Sequence, residues 1–307
     1  MEKRILGKTG LSVTAMSLGT MDVRYLDLKN VSRLLNTALD RGVNYIDTSP
    51  EYPMAEYFIG ETIANRRDEY ILATKCGDNM TGVGATYIFD RKTIISNMDE
   101  SLRLMKTDHV DILQLHGVTP EMLEGGAYGE AMEAMRELKK AGKALHLGLT
   151  VRNGNDQQYG YPAGFGYNSL PRFAKWDDIE MAQIVYGGLT RTSENVIQKV
   201  HDEDNLGVVV RGVVKNYLPV YQARYEASRI SELFEEGESK HDFLIRYALS
   251  HPAISSLVIG TKNIEHMLDD IKAVEKGKLS DEVYAEAKRR LNFAGIFAGP
   301  TDMKLDW

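Results

Sequence analysis

Cysteine is almost absent from this chain: Cys76 stands alone among 307 residues, which excludes an intrachain disulfide and every multi-cysteine zinc motif. The 7 histidines show no ligand-like spacing beside it, so no metal is expected. No apolar run approaches the roughly 20 residues that cross a bilayer. The N-terminus, MEKRILGKTG, lacks the apolar core of a signal peptide. A membrane is therefore not an expected partner, and a cytoplasmic location is expected. Basic blocks are missing too. Lys and Arg number 37 against 44 Asp and Glu, a net charge of −7, which argues against nucleic acid or an anionic membrane surface. Pro/Ser-rich linkers and short-period repeats are also lacking, so residues 1–307 read as a single domain. What remains is 43% hydrophobic and 26% charged, ordinary for a globular protein long enough to bury a full core.

Residues 3–13, KRILGKTGLSV, read as two short strands around a glycine-containing turn, a hairpin ahead of the main fold. The GKT within it is no phosphate loop, because that motif needs glycine where Glu2 stands. From Ala15 onward, strand-like and helix-like segments alternate. Strands are expected at 15–20, 43–47, 70–75, 110–116, 144–150, 180–186, 207–212 and 256–261. Amphipathic helices are expected at 30–40, 91–106, 131–143, 191–203, 239–250 and 263–275, the last opening at Asn263 as an N-cap. Strands and helices alternating without a linker close most economically into one parallel (β/α)8 barrel, the TIM-barrel fold. Two connections, 77–89 and 152–169, are long and rich in Tyr, Phe and Met. They read as covers over a site, and the tail after Leu291 as either a further cover across the mouth or a dimer contact.

The stretch Val43–Tyr52, VNYIDTSPEY, organises the rest. A β-branched, apolar run stops at the carboxylate of Asp47, and a turn through Pro50 delivers the phenol of Tyr52. Alone, Asp47 is more often a turn or capping group and Tyr52 a packed aromatic. Yet the construction recurs: ILATK ends in Lys75, and ILQLH ends in His116. In a (β/α) barrel the C-terminal ends of strands share one mouth, where active sites are built. Lone charges buried there are costly and need partners.

Together these groups suit carbonyl reduction. As hydride reaches the carbonyl carbon, negative charge grows on oxygen and an acid must supply a proton. An ammonium near Tyr52 favours its ionised form, by about 4 kcal/mol at ~4 Å and an effective dielectric near ~20. Asp47 would hold Lys75 in place, and His116 would donate a hydrogen bond to the carbonyl.

YIDTSPEY, ILATKCG and ILQLHG, in this order, resemble the catalytic segments of the aldo-keto reductase family. LGTM (18–21), HLGLTV (146–151), AQIVYGGL (182–189) and VIGTKNIEHMLDDIKA (258–273) extend the resemblance over nearly the whole chain. It implies a (β/α)8 barrel, a nicotinamide cofactor lying across the mouth, and a tetrad of Asp47, Tyr52, Lys75 and His116. For the cofactor it implies Thr20 and Met21 after the first strand, Asp47 at the end of the second, Thr150 and Gln183 at the carboxamide, and Tyr186 under the nicotinamide. Val151 stands where many relatives have Asn, so one carboxamide contact falls to Asn153 or is missing. Arg211 and Lys215 are placed for the pyrophosphate. Gly260, Thr261 and Lys262 fit the adenosine 2′-phosphate, with His266 where many relatives carry arginine. Asp269 and Asp270 stand where Glu-Asn is usual, adding negative charge. The cofactor expected is NADP(H), with NAD(H) the less favoured possibility, and the partner is a small carbonyl or alcohol substrate.

Two other readings discriminate themselves by experiment. A Schiff-base aldolase built on Lys75 leaves Tyr52 and Gln183 without work, and borohydride would trap its substrate. A non-catalytic or redox-sensing cofactor-binding module on the same fold is the second, because some members of the family serve as ion-channel subunits.

Overall fold

A computed structural model of the protein describes residues 1–78, 87–118, 128–151, 165–214 and 219–299. The expected hairpin is present. β1 (Lys3–Ile5) pairs antiparallel with β2 (Ser12–Thr14) around a 3-10 turn at Gly7–Thr9. Eight further strands form a closed parallel barrel: β3 (Met16–Gly19), β4 (Tyr45–Asp47), β5 (Ile71–Cys76), β6 (Val110–Leu115), β7 (Ala144–Val151), β8 (Met181–Val185), β9 (Gly207–Arg211) and β10 (Ser256–Gly260). β10 pairs with β3 to complete the ring. Such strands are covered on both faces, which is why they read as near-continuous apolar runs.

The lumen is filled from below. Tyr45, Ala73, Ile112, Met181 and Val209 point inward and pack on Leu6 and Val13 of the hairpin segment, so the hairpin plugs the floor. The inward-facing Asp47, Lys75, Gln114 and Gln183 lie one step further along their strands, toward the opposite end. Outside the ring, Leu72, Leu113, Leu149, Ile184 and Val208 pack against the helices. No helix among the described residues is long and apolar enough to cross a membrane.

Helix α1 (Leu28–Asp40) starts two residues before the expected boundary, because the Asp27 carboxylate accepts the Asn30 N–H. Asn263 caps the helix Ile264–Glu275 as expected, accepting the Glu265 N–H at 2.8 Å. Helices at Ala55–Thr62, Phe165–Ala174, Pro219–Ser228 and Asp281–Phe293 were not expected from periodicity. The second of these replaces the end of the expected 152–169 loop, whose residues 152–164 lie outside the described set. Within 77–89, Asp78 and Tyr87 form an antiparallel bridge, and residues 79–86 are outside it.

Helix α2 (Ala55–Thr62) carries a buried carboxylate into the wall of the barrel. Glu56 accepts from Thr74 Oγ1 on β5 at 2.5 Å and from Ser101 Oγ on α3 (Arg91–Met105) at 2.9 Å, so one side chain joins three elements. Burial pushes its carboxyl up to about 7, against the opposing pull of those two hydroxyls. An acid raised in the folded state makes the fold lose stability as pH climbs, here from the unfolded value near ~4.3 to about 7. Glu56→Gln removes the ionisation while keeping the shape. Thermal melts should show the variant gaining on wild type across that window, by up to ~3 kcal/mol at alkaline pH; parallel stability curves would contradict the assignment.

Candidate active site

The ends of β4, β5 and β6, the centre of β8 and one turn build the mouth. Asp47 ends β4, Lys75 is the penultimate residue of β5, and Gln183 lies at the centre of β8, all directed inward by the period of two along a strand. Lys75 Nζ donates to Asp47 Oδ1 at 2.8 Å and to the Thr48 carbonyl at 2.7 Å. The other Asp47 oxygen, Oδ2, accepts from Gln183 Nε2 at 2.8 Å and Gln114 Nε2 at 3.2 Å. Both charges are shut away from water, with side-chain exposures of 0% for Lys75 and 3% for Asp47. A buried pair survives only when its remaining hydrogen-bonding capacity is met. Here two amides and a carbonyl meet it. Burial pulls the Lys75 ammonium down, but Asp47 and the other anionic groups around it outweigh that pull, and its affinity for the proton ends above the ordinary lysine value.

Tyr52, half-buried, follows a turn in which its N–H donates to the Ser49 carbonyl at 3.0 Å. Lys75 Nζ lies 5.1 Å from the centre of its ring. The tetrad expected from sequence is thus brought together, but its electrostatics differ from expectation. Burial raises the Tyr52 phenol above the ordinary tyrosine value, and the lowering influence of Lys75 and Arg211 does not overcome it. The ammonium donates to Asp47 and the Thr48 carbonyl.

His116, immediately after β6, stands edge-on to Tyr52 with ring centres 6.4 Å apart and an interplanar angle of 87°. Its Nδ1 is 2.9 Å from Asp78 Oδ1, 3.3 Å from Glu51 Oε2 and 3.3 Å from Ser49 Oγ. Neither carboxylate was singled out from sequence, nor was Gln114. Alternation offered a signal for Gln114, two residues before His116 on the same strand face. For Asp78 the signal was register: β5 pairs Cys76 with Leu115, which puts Gly77 beside His116 and Asp78 one step on.

The cofactor residues implied by resemblance distribute unevenly. Thr20 is buried and donates through Oγ1 to the Asp47 carbonyl at 3.1 Å, while Met21 is exposed. Thr150 Oγ1 accepts the Gly117 N–H at 2.7 Å. Gln183 has already given an amide N–H to Asp47. Arg211, partly exposed at the end of β9, is close enough for its charge to act on Tyr52. Tyr186 offers no open ring face: it is fully buried and its hydroxyl donates to Glu194 at 3.2 Å. Gly260 ends β10 and Thr261 and Lys262 follow it, beside a cleft of about 580 Å³ lined in part by Tyr25, Asn30, Arg33, Lys262, Asn263 and Glu265. Lys262 is exposed and forms no ion pair with the described residues, its Nζ 5.3 Å from the Tyr25 ring centre. His266 is exposed, and Asp269 pairs with Lys272 at 2.8 Å. Asp270 is buried and bonded to His241 Nε2 at 2.5 Å. It therefore faces the helix Lys240–Leu249 and not the rim, contrary to the contact the resemblance implied. Asn153 and Lys215 lie outside the described residues.

Residues 15–291 match the sequence pattern of the Aldo/keto reductase family. The chain belongs to that family. This aldo-keto reductase is 28% identical over 306 residues to the uncharacterized oxidoreductase YqkF of Bacillus subtilis, covering 92% of this chain and 94% of that one. It is 25% identical to the L-glyceraldehyde 3-phosphate reductase of Escherichia coli K12, over 95% of this chain and 92% of that protein. Its fold superimposes on the holo form of aldo-keto reductase AKR11C1 from Bacillus halodurans with a TM-score of 0.82, at 25% identity and 99% coverage of both chains. As an aldo-keto reductase it is an oxidoreductase that acts on small carbonyl substrates with a nicotinamide cofactor.

Proposed function

We propose that this aldo-keto reductase moves hydride reversibly between NAD(P)H and the carbonyl of an aldehyde, ketone or sugar, with Tyr52 as the proton donor in reduction and acceptor in alcohol oxidation. The observation that carries the reading is the geometry of Lys75, held by Asp47 at 2.8 Å with its Nζ 5.1 Å from the centre of the Tyr52 ring. Burial keeps the proton on Tyr52 until negative charge develops on the carbonyl oxygen. As that proton leaves, Lys75 stabilises the phenolate that remains. Asp47 acts through Lys75, since both of its oxygens are occupied within the strand ends. The name of the E. coli relative supports a carbonyl of the sugar class.

When bound, the nicotinamide supplies the hydride. Thr20, Met21, Thr150, Gln183 and Arg211 are the groups proposed to hold it at the mouth, and Gly260, Thr261, Lys262 and His266 to hold the adenosine end. The donor set fits a phosphate. Lys262 is exposed and forms no ion pair with the described residues, and the helix opening at Asn263 adds the positive end of its dipole. The expected opposition from Asp270 falls away, because that carboxylate is buried against His241. NADPH is accordingly the proposed preference.

Tyr52→Phe should retain cofactor affinity while single-turnover reduction falls by at least about 10²-fold, the usual cost of losing a general acid. Reduction at near wild-type rate would remove Tyr52 from that role. For the adenosine end, fluorescence titration of Lys262→Ala should show NADPH binding weakened about tenfold or more, with NADH binding nearly unchanged. An equal loss for both cofactors would mean that Lys262 does not read the 2′-phosphate.

A further inference from the structure

Tyr52 rides on a strap of chain, residues 48–56, that is tied to β5 at both ends. At the near end the Thr48 N–H donates to the Ala73 carbonyl at 2.9 Å, and the Thr48 carbonyl accepts from Lys75 Nζ at 2.7 Å. At the far end the tie is a single side chain: Glu56 Oε1 accepts from Thr74 Oγ1 at 2.5 Å. Consecutive residues of β5, Ala73, Thr74 and Lys75, therefore hold the strap, with Tyr52 midway along it. The backbone is closed around Tyr52, whose N–H donates to the Ser49 carbonyl and whose carbonyl accepts the Ala55 N–H, each at 3.0 Å. A shift of the far end is thus passed on to the phenol.

The start of α2 does not fix that end by capping. Met54, at the N-cap position, has a left-handed backbone, φ 64°, which is disfavoured for a residue with a Cβ, and its side chain makes no capping hydrogen bond. Further along, α2 is docked by other means. Ile59 is fully buried, and Gly60 lies so close to α3 that a Cβ there would sit 2.0 Å from the Leu104 carbonyl oxygen. Glu56 therefore bears mainly on the first turn. It is 2% exposed, and an apolar side chain in its place would avoid the cost of burying a carboxyl but would hold no hydroxyl. Its two oxygens serve different elements: Oε1 is bound to Thr74, the neighbour of Lys75 on β5, while Oε2 accepts from Ser101 Oγ on α3 at 2.9 Å.

We propose that Glu56 is a positioning residue: by tying the far end of the strap to the residue next to Lys75, it sets the separation of the Tyr52 phenol from the Lys75 ammonium. The inference rests on the reading of Tyr52 as proton donor, and it extends that machinery to a side chain behind the barrel wall, since Thr74 faces away from the lumen into which Lys75 points. The Oε1 link to β5 carries the role, and the Oε2 link to α3 contributes to stability only. Either protonation state of the carboxyl serves. A carboxylate accepts from both hydroxyls, a carboxylic acid accepts from one and donates to the other, and the amide of glutamine can do the same. The quantity held is the 5.1 Å between Lys75 Nζ and the centre of the Tyr52 ring.

Paired variants separate positioning from mere support. Thr74→Val cuts the link to β5 and Ser101→Ala the link to α3; each removes one buried hydroxyl, so both should melt below wild type. Single-turnover reduction of glyceraldehyde by prebound NADPH should fall about tenfold or more in Thr74→Val and in Glu56→Ala, as expected when a reacting group is misplaced. NADPH affinity should be unchanged, and Ser101→Ala and Glu56→Gln should stay close to the wild-type rate. In protein labelled with ζ-¹³C-tyrosine, the Tyr52 signal, assigned by its absence from Tyr52→Phe, should move in Thr74→Val and hold its place in Ser101→Ala. Equal rate losses in Thr74→Val and Ser101→Ala, a wild-type rate in Thr74→Val, or a Tyr52 signal that responds alike to both changes overturns the proposal. Should Glu56→Ala fail to fold, the Thr74 and Ser101 pair still decides. A Tyr52→Phe variant that reduces glyceraldehyde at the wild-type rate defeats the proton-donor reading instead, and the ¹³C signal, which needs no turnover, then decides whether Glu56 places Tyr52.

Discussion

The buried Asp47–Lys75 pair is the interaction on which the site depends. Nothing about it is cheap: each ion has left water, and such a pair is often no more stabilising than an apolar substitute. Its geometry shows how it is tolerated. Asp47 receives hydrogen bonds at both oxygens, and Lys75 divides its donors between Asp47 and a backbone carbonyl. Removing either partner would strand a charge inside the barrel. The pair therefore constrains β4, β5, β6 and β8 to one relative height, and Tyr52 inherits its position from the turn that follows.

The floor makes this arrangement possible. Because Leu6 and Val13 pack beneath Tyr45, Ala73, Ile112, Met181 and Val209, the lower lumen is apolar. The polar groups collect in the layer above, where Asp47, Lys75, Gln114 and Gln183 bond with one another. Around that layer lie further carboxylates under different regimes. Glu56 is held by hydroxyls and pushed toward its neutral form, whereas Asp78 and Glu51 face an imidazole. Acid–base function in such a mouth is set less by residue type than by which neighbour each group has been given.

The barrel was legible because parallel strands buried on both faces leave unbroken apolar runs, and the tetrad because each member ends or follows such a run. Helix α2 was not legible: its N-cap position is Met54 in a left-handed conformation, φ 64°, with no capping side chain. The helix Phe165–Ala174 contains Pro171 and Gly166, both breakers of a helical pattern. The dependence of Tyr52 on burial was also hidden, since a pairwise estimate of the Lys75 attraction carries no information on desolvation. Asp270 misled for a related reason. A motif position specifies where a backbone lies, and here the side chain turned to a local partner, His241.

Asp47 is proposed to affect the chemistry only through Lys75. A double-mutant cycle reads it directly: single-turnover hydride transfer, followed by cofactor absorbance, in wild type, Asp47→Asn, Lys75→Met and the double variant. Lys75→Met should be the more damaging single change, and adding Asp47→Asn to it should cost little more. Losses that multiply in the double variant would contradict it, because Asp47 would then be acting on the reaction by a route of its own.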